Sequence, residues 1–125
     1  MSQYEKIKKI ETYVGGYFGG YHQVEVDLEN NSVTWTHGGE GKLEESVYRN
    51  IRSATAKKLL EQLELLNLLN WEAEYVDPGT LDGTQWHLEI VMDGHTVTKH
   101  GINEYPEQWG KFRHAISKIA RKPFR

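Results

Sequence analysis

Three residues of this sequence, His87, Glu89 and His100, have side chains of the types that bind metal ions. The dipeptide Asp93-Gly94 lies between two alternating segments and predicts a β-hairpin, because Asp-Gly fits a type I′ turn. That turn sets His87 directly opposite His100, with Glu89 one diagonal step away on the same face. Imidazole and carboxylate ligands suit zinc or another borderline metal. The hairpin face is therefore one candidate site.

The same face has a simpler interpretation, because polar residues are the default on the solvent side of a hairpin. The sequence has no cysteine, no His-Glu-x-x-His helix and no evident fourth metal ligand. It also lacks the Gly-x-Ser-x-Gly motif of a hydrolase nucleophile. A small metal-binding protein or hydrolase-type enzyme using His87, Glu89 and His100 is thus the alternative hypothesis. No cofactor is expected.

A cationic surface near the end of the sequence is the second candidate site. The segment from Lys111 to Arg125 contains Lys and Arg residues but no Asp or Glu. On one face of a helix it would present four side chains, namely Lys111, His114, Lys118 and Arg121. Such a face can simply be solvated, with its cations favoured by the helix dipole. No nucleic-acid-binding motif accompanies it, so an acidic protein partner is the preferred ligand and nucleic acid is disfavoured.

A glycine-rich segment, residues 15–20, allows two interpretations. Backbone N–H groups near glycines can ring a phosphate. The segment lacks the Gly-Lys-Ser/Thr ending of a phosphate-binding loop, and no helix follows it. A wide turn or bulge between strands is therefore preferred.

Alternating and helical patterns place the elements that would carry these sites. Strands are predicted at about 7–14, 22–28, 33–37 and 43–51, with the last near a sheet edge. A helix follows, with Ser53 as its N-cap and with a leucine stripe at Leu59, Leu60, Leu63 and Leu66. It ends at Asn67 or Asn70, and an extended linker at 71–75 leads to the hairpin.

The hairpin should bury one face, made of Trp86, Leu88, Ile90, Met92 and Val97. A last helix follows Pro106, and its buried stripe is Trp109, Phe112, Ile116 and Ile119. Strands grouped apart from helices predict an α+β fold of order β-β-β-β-α-β-β-α. Residues 1–125 then form a single domain: an antiparallel sheet of hairpins with two helices on one face.

The overall composition limits the function classes. The sequence has 125 residues, 38% of them hydrophobic, with a formal net charge of −3 and no cysteine. It contains no signal-peptide pattern and no apolar run as long as a membrane helix requires. We therefore expect a soluble cytoplasmic protein without a membrane partner. The function expected by elimination is a non-catalytic interaction or binding module, of the kind represented by inhibitors and immunity proteins.

Two short motifs suggest a family. The run Asp82-Gly83-Thr84-Gln85-Trp86 is followed by Gly101-x-Asn103-x-Tyr105-Pro106, in the order DGTQW…GxNxYP. This signature resembles that of a family of small uncharacterised bacterial proteins, and the resemblance covers most of the chain. It implies neither an activity nor a catalytic residue.

Overall fold

A seven-stranded sheet and two α-helices make up the part of the chain that the structure describes. The structure is a computed structural model, and it describes residues 3–16, 19–39, 41–76, 79 and 83–125, without the side chain of Lys42. The strands are β1 (Ile7–Gly15), β2 (Tyr21–Asp27), β3 (Ser32–Gly39), β4 (Lys42–Asn50), β5 (Glu74–Val76), β6 (Gln85–Met92) and β7 (His95–Ile102), and the helices are α1 (Ser53–Leu65) and α2 (Trp109–Ala120). The predicted α+β class is confirmed.

The strand order in the sheet is β4-β3-β2-β1-β6-β7-β5. Every pairing is antiparallel except that of β5 with β7, which is parallel. The predicted linker at 71–75 is therefore partly wrong, because Glu74–Val76 forms a strand. A strand of three residues is too short to show an alternating pattern, and its pairing with β7 is what defines it.

The register predicted for the last hairpin is confirmed. Met92 pairs with His95, Ile90 with Val97, and His87 with His100. Gly94 has a φ of 85° in the connecting turn, a value that favours glycine.

One face of the sheet is covered and the other is not. Along β6 the side chains alternate between exposed or half-buried and buried, as expected when helices cover one side only. Trp86 of β6 meets Trp109 of α2 with ring centroids 4.8 Å apart. The most completely buried large side chains of the core are Trp86, Phe112, Phe124, Ile10, Leu63, Leu68, Leu88, Ile90 and Ile116.

The helices follow their predicted stripes but begin and end differently. Ser53 is the first helical residue of α1 rather than its N-cap, and the cap position is held by Arg52 without a side-chain hydrogen bond. The helix ends at Leu65, earlier than predicted, because Asn67 adopts the left-handed conformation with φ of 57°. In α2 the predicted residues Trp109, Phe112, Ile116 and Ile119 are all buried.

Lys99 is a buried cation on the covered face of β7, with only 4% of its surface exposed. Its ammonium group donates hydrogen bonds to the backbone carbonyl oxygens of Trp71 and, at 3.3 Å, of Leu69. Burial lowers the pKa of Lys99, because desolvation disfavours the charged form. Through these hydrogen bonds, Lys99 connects the segment after α1 to the β6–β7 hairpin.

We expect the Lys99→Met variant to lose about 1–3 kcal/mol in free energy of unfolding. Methionine keeps an unbranched stem, so the loss reports the two carbonyl groups left without their donor. Chemical denaturation measures it, with Lys57→Met as the control because Lys57 is an exposed lysine of α1. An equal stability of the two variants would show that these hydrogen bonds contribute nothing net.

The glycine-rich segment connects β1 to β2, and Gly15 pairs with Tyr21 where the two strands meet. A Cβ on Gly15 would lie 2.8 Å from the Tyr13 hydroxyl oxygen, so these side chains pack closely over the glycine. The centre of the segment, Tyr17 and Phe18, lies outside the described residues, as does Asp82 of the DGTQW motif. The choice between turn and phosphate site stays a prediction.

Candidate functional site

The four residues of the predicted cationic surface all line one groove between α1 and α2. Lys111 and His114 line one half of it, whereas Lys118 and Arg121 line the other. All four side chains are exposed to solvent. The two halves share Gln62 and Ala115, so they adjoin one another. We call this feature the α1–α2 groove.

The first half of the α1–α2 groove is mainly apolar. It has a volume of about 420 Å³ and is lined by Leu65, Leu66 and Ala115 together with Lys111 and His114. Leu65 is 83% exposed, although leucine is normally buried. It lies at the end of α1, away from the buried stripe of that helix. The groove thus has a solvent-exposed apolar side chain at its margin.

The second half of the α1–α2 groove is cationic. It has a volume of about 290 Å³, and its charged lining residues are Arg49, Lys58, Lys118 and Arg121. The described lining of this half includes no Asp or Glu. Lys118 lies in the last turn of α2, where the helix dipole favours a cation. Four cations around one cavity make it a place for anionic groups.

Sequence reasoning identified the α2 side of this groove but missed the α1 side. Leu65 and Lys58 were not predicted as site residues, because the pairing of α1 with α2 is a tertiary feature. One signal was present: Leu65 is a leucine outside the buried stripe of α1. A single exposed leucine is common on protein surfaces, so this signal indicates a site only in combination with the groove beside it.

The other candidate site lies on the uncovered face of the sheet. His87 and His100 are cross-strand neighbours there, as predicted. The His87 ring stacks on Tyr13 with centroids 5.0 Å apart, and His100 Nε2 lies 3.7 Å from a carboxylate oxygen of Glu74. Glu89 pairs with Thr98 and Glu11 on its two sides. Among the described residues, no group of three or more His, Asp or Glu side chains converges to hold a metal ion.

The signature residues GxNxYP have structural contacts. The Trp86 indole N–H donates to the Glu104 carbonyl oxygen at 2.8 Å, directly beside Gly101. Asn103 has a φ of 54°, and its side-chain oxygen accepts a hydrogen bond from the Thr84 N–H at 2.8 Å. Tyr105 stacks on Trp109 at 5.6 Å, next to the start of α2. These residues fix the loop that leads into α2.

Comparison with known proteins adds no assignment. No model of a protein family matches this sequence, and no curated protein matches it either. No helix in the described ranges has the length and apolar character required to span a membrane.

Proposed function

We propose that this protein is a non-catalytic protein-binding module whose α1–α2 groove takes an acidic segment of a partner protein. The observation that carries the proposal is the junction of an apolar cavity with a cationic one along a single groove. A module of this kind would act as an inhibitor or an immunity protein does, by binding another protein. A cytoplasmic setting is part of the proposal and is consistent with a sequence that has no cysteine.

The apolar half would supply most of the binding energy. Partner side chains that enter well-packed pockets dominate interface energetics, whereas charges at the rim contribute less. Leu65, 83% exposed, offers apolar surface that an apolar side chain of the partner would cover. Lys111 and His114 stand at the same cavity and can hydrogen-bond the partner's backbone or carboxylates.

The cationic half would supply selectivity. Lys58, Lys118 and Arg121 face a shared cavity, so an acidic segment fits it and a basic one is repelled. Long-range attraction between these cations and an acidic partner would also speed association at low salt. The expected partner segment therefore carries one apolar anchor next to two or more Asp or Glu residues.

Fluorescent acidic peptides with Leu, Phe or Ala at one central position are the probes that test this proposal. We expect the Leu and Phe peptides to bind more tightly than the Ala peptide, and the Leu65→Asp variant to remove that difference. The double variant Lys118→Glu/Arg121→Glu should weaken binding about tenfold or more, which corresponds to about 1.4 kcal/mol or more. Fluorescence anisotropy at two salt concentrations measures both effects.

A matched control reverses two cations outside the groove, Lys6→Glu/Lys57→Glu, with the same change in net charge. Neither residue lines the groove, and both are exposed. The proposal is wrong if this control weakens binding as much as the groove variant does, or if the central apolar residue has no effect. Tighter binding of a single-stranded or double-stranded oligonucleotide than of any peptide would favour a nucleic-acid ligand instead.

A further inference from the structure

The outer strand β4 is a long sheet edge with one neighbour. β4 has nine residues, and within the described part of the chain it pairs with β3 alone. The opposite edge, β5, has only three residues. Such an edge presents a row of backbone N–H and C=O groups that another strand can pair with. Two large side chains of this strand, Leu43 and Tyr48, are 96% and 64% exposed among mainly polar neighbours.

The side chains of β4 divide between the two faces of the sheet. Val47 lies opposite Trp35 and Arg49 opposite Val33, and both of these partners are buried on the helix-covered side. Glu45 shares that side by alternation along the strand. Arg49 is only half exposed, and its Nε atom is buried without a hydrogen-bond partner among the described residues. Arg49 also lines the cationic half of the α1–α2 groove, so a cation lies where the sheet edge adjoins that groove.

We propose that two copies of this chain pair through β4, antiparallel, about a two-fold axis that passes by Val47. In this register Glu45 of each copy faces Arg49 of the other, so the charged pair forms twice. Val47 meets its own counterpart at the centre of the interface. Two-fold dimers of identical chains use the same surface on both copies, as this pairing does.

The charges select this register over its neighbours. A slip of two residues in either direction would place Glu45 opposite Val47 or Ile51 of the second copy, and both ion pairs would be lost. A slip of one residue would turn the side chains of one strand to the wrong face. Opposite charges directly across an antiparallel pair stabilise it, and like charges destabilise it. The sequence of β4 is thus complementary to itself in one register.

Charge exchange across the pair tests the proposal. We expect the wild-type chain to form dimers in the micromolar range by sedimentation equilibrium. Glu45→Arg alone would set arginine opposite arginine twice, and Arg49→Glu alone would set glutamate opposite glutamate twice. Each single variant should therefore dissociate about tenfold more readily or more. Circular dichroism would verify that each variant remains folded.

Two restorations make the test specific. The double variant Glu45→Arg/Arg49→Glu should regain the wild-type dimer, because each ion pair is merely reversed. An equimolar mixture of the two single variants should form a mixed dimer, since arginines of one copy then face glutamates of the other. The proposal fails if the wild type stays monomeric at high micromolar concentration. It also fails if neither the double variant nor the mixture restores association, or if the single variants dimerise as the wild type does.

Discussion

Replacing Trp86 with alanine is expected to lower the free energy of unfolding by about 3–5 kcal/mol, which makes this the most damaging single truncation that we predict. Trp86 is 1% exposed and its ring lies 4.8 Å from that of Trp109 and 5.8 Å from that of Tyr75. The residue therefore joins β6, α2 and β5. Its removal leaves a cavity beneath all three and deprives the Glu104 carbonyl of its donor.

Urea denaturation followed by circular dichroism measures this loss, and Trp86→Phe separates its two parts. Phenylalanine keeps much of the packing but has no N–H, so it should lose less than alanine does. The remaining deficit then reports the hydrogen bond to Glu104, worth about 0.5–1.5 kcal/mol. A loss below about 1 kcal/mol for Trp86→Ala would show that this residue is not central to the core.

Replacing Gly101 with alanine is expected to cost about 3 kcal/mol, since overpacking a tight site strains it. A Cβ on Gly101 would lie 2.3 Å from Trp86 Nε1 and 2.7 Å from the Glu104 carbonyl oxygen. Neither neighbour can withdraw, because Trp86 is held in the core and the other atom belongs to the backbone. The matched control is Gly110→Ala in the first turn of α2, where a Cβ has open space and no loss of stability is expected.

A double-mutant cycle identifies the cause of the Gly101 effect. In the Trp86→Ala background the indole is gone, so Gly101→Ala should cost clearly less than it does in the wild-type chain. Equal costs in the two backgrounds would place the strain at the Glu104 carbonyl instead of the indole. Thermal or chemical unfolding of the four proteins provides the comparison.

Local patterns predicted the elements whose signals are contained in a few neighbouring residues. The Asp93-Gly94 turn fixed the register of the last hairpin, and the helical spacing of Trp109, Phe112 and Ile116 gave the buried side of α2. Both signals depend on backbone geometry and apolar periodicity alone. The α+β class followed from the same patterns.

Features that depend on contacts between distant segments could not be predicted in this way. β5 exists because residues 74–76 meet β7, and Lys99 is buried because two carbonyl groups beyond α1 receive its ammonium group. A lysine opposite Leu88 in a hairpin would ordinarily be assigned to solvent.

The candidate site likewise has one part that was predictable from local sequence and one part that depends on tertiary contacts. The cations of α2 were evident from their helical spacing, whereas Leu65 and Lys58 join them only because α1 packs beside α2. The histidine pair was placed correctly by the hairpin register, but its neighbours Tyr13 and Glu74 come from other strands. Function in a small α+β domain thus depends on which helices and strands become neighbours.

The attachment of the segment after α1 has a consequence for the order of folding. The Leu69 N–H donates to the hydroxyl of Tyr4, sixty-five positions earlier in the chain, at 3.0 Å, and Lys99 holds the same segment from the hairpin side. Contacts over such distances in the chain form only after slow loop closure. We therefore expect the turn at Leu68–Asn70 to become ordered late, after the Gln3–Lys6 turn that carries Tyr4 and the hairpin have formed.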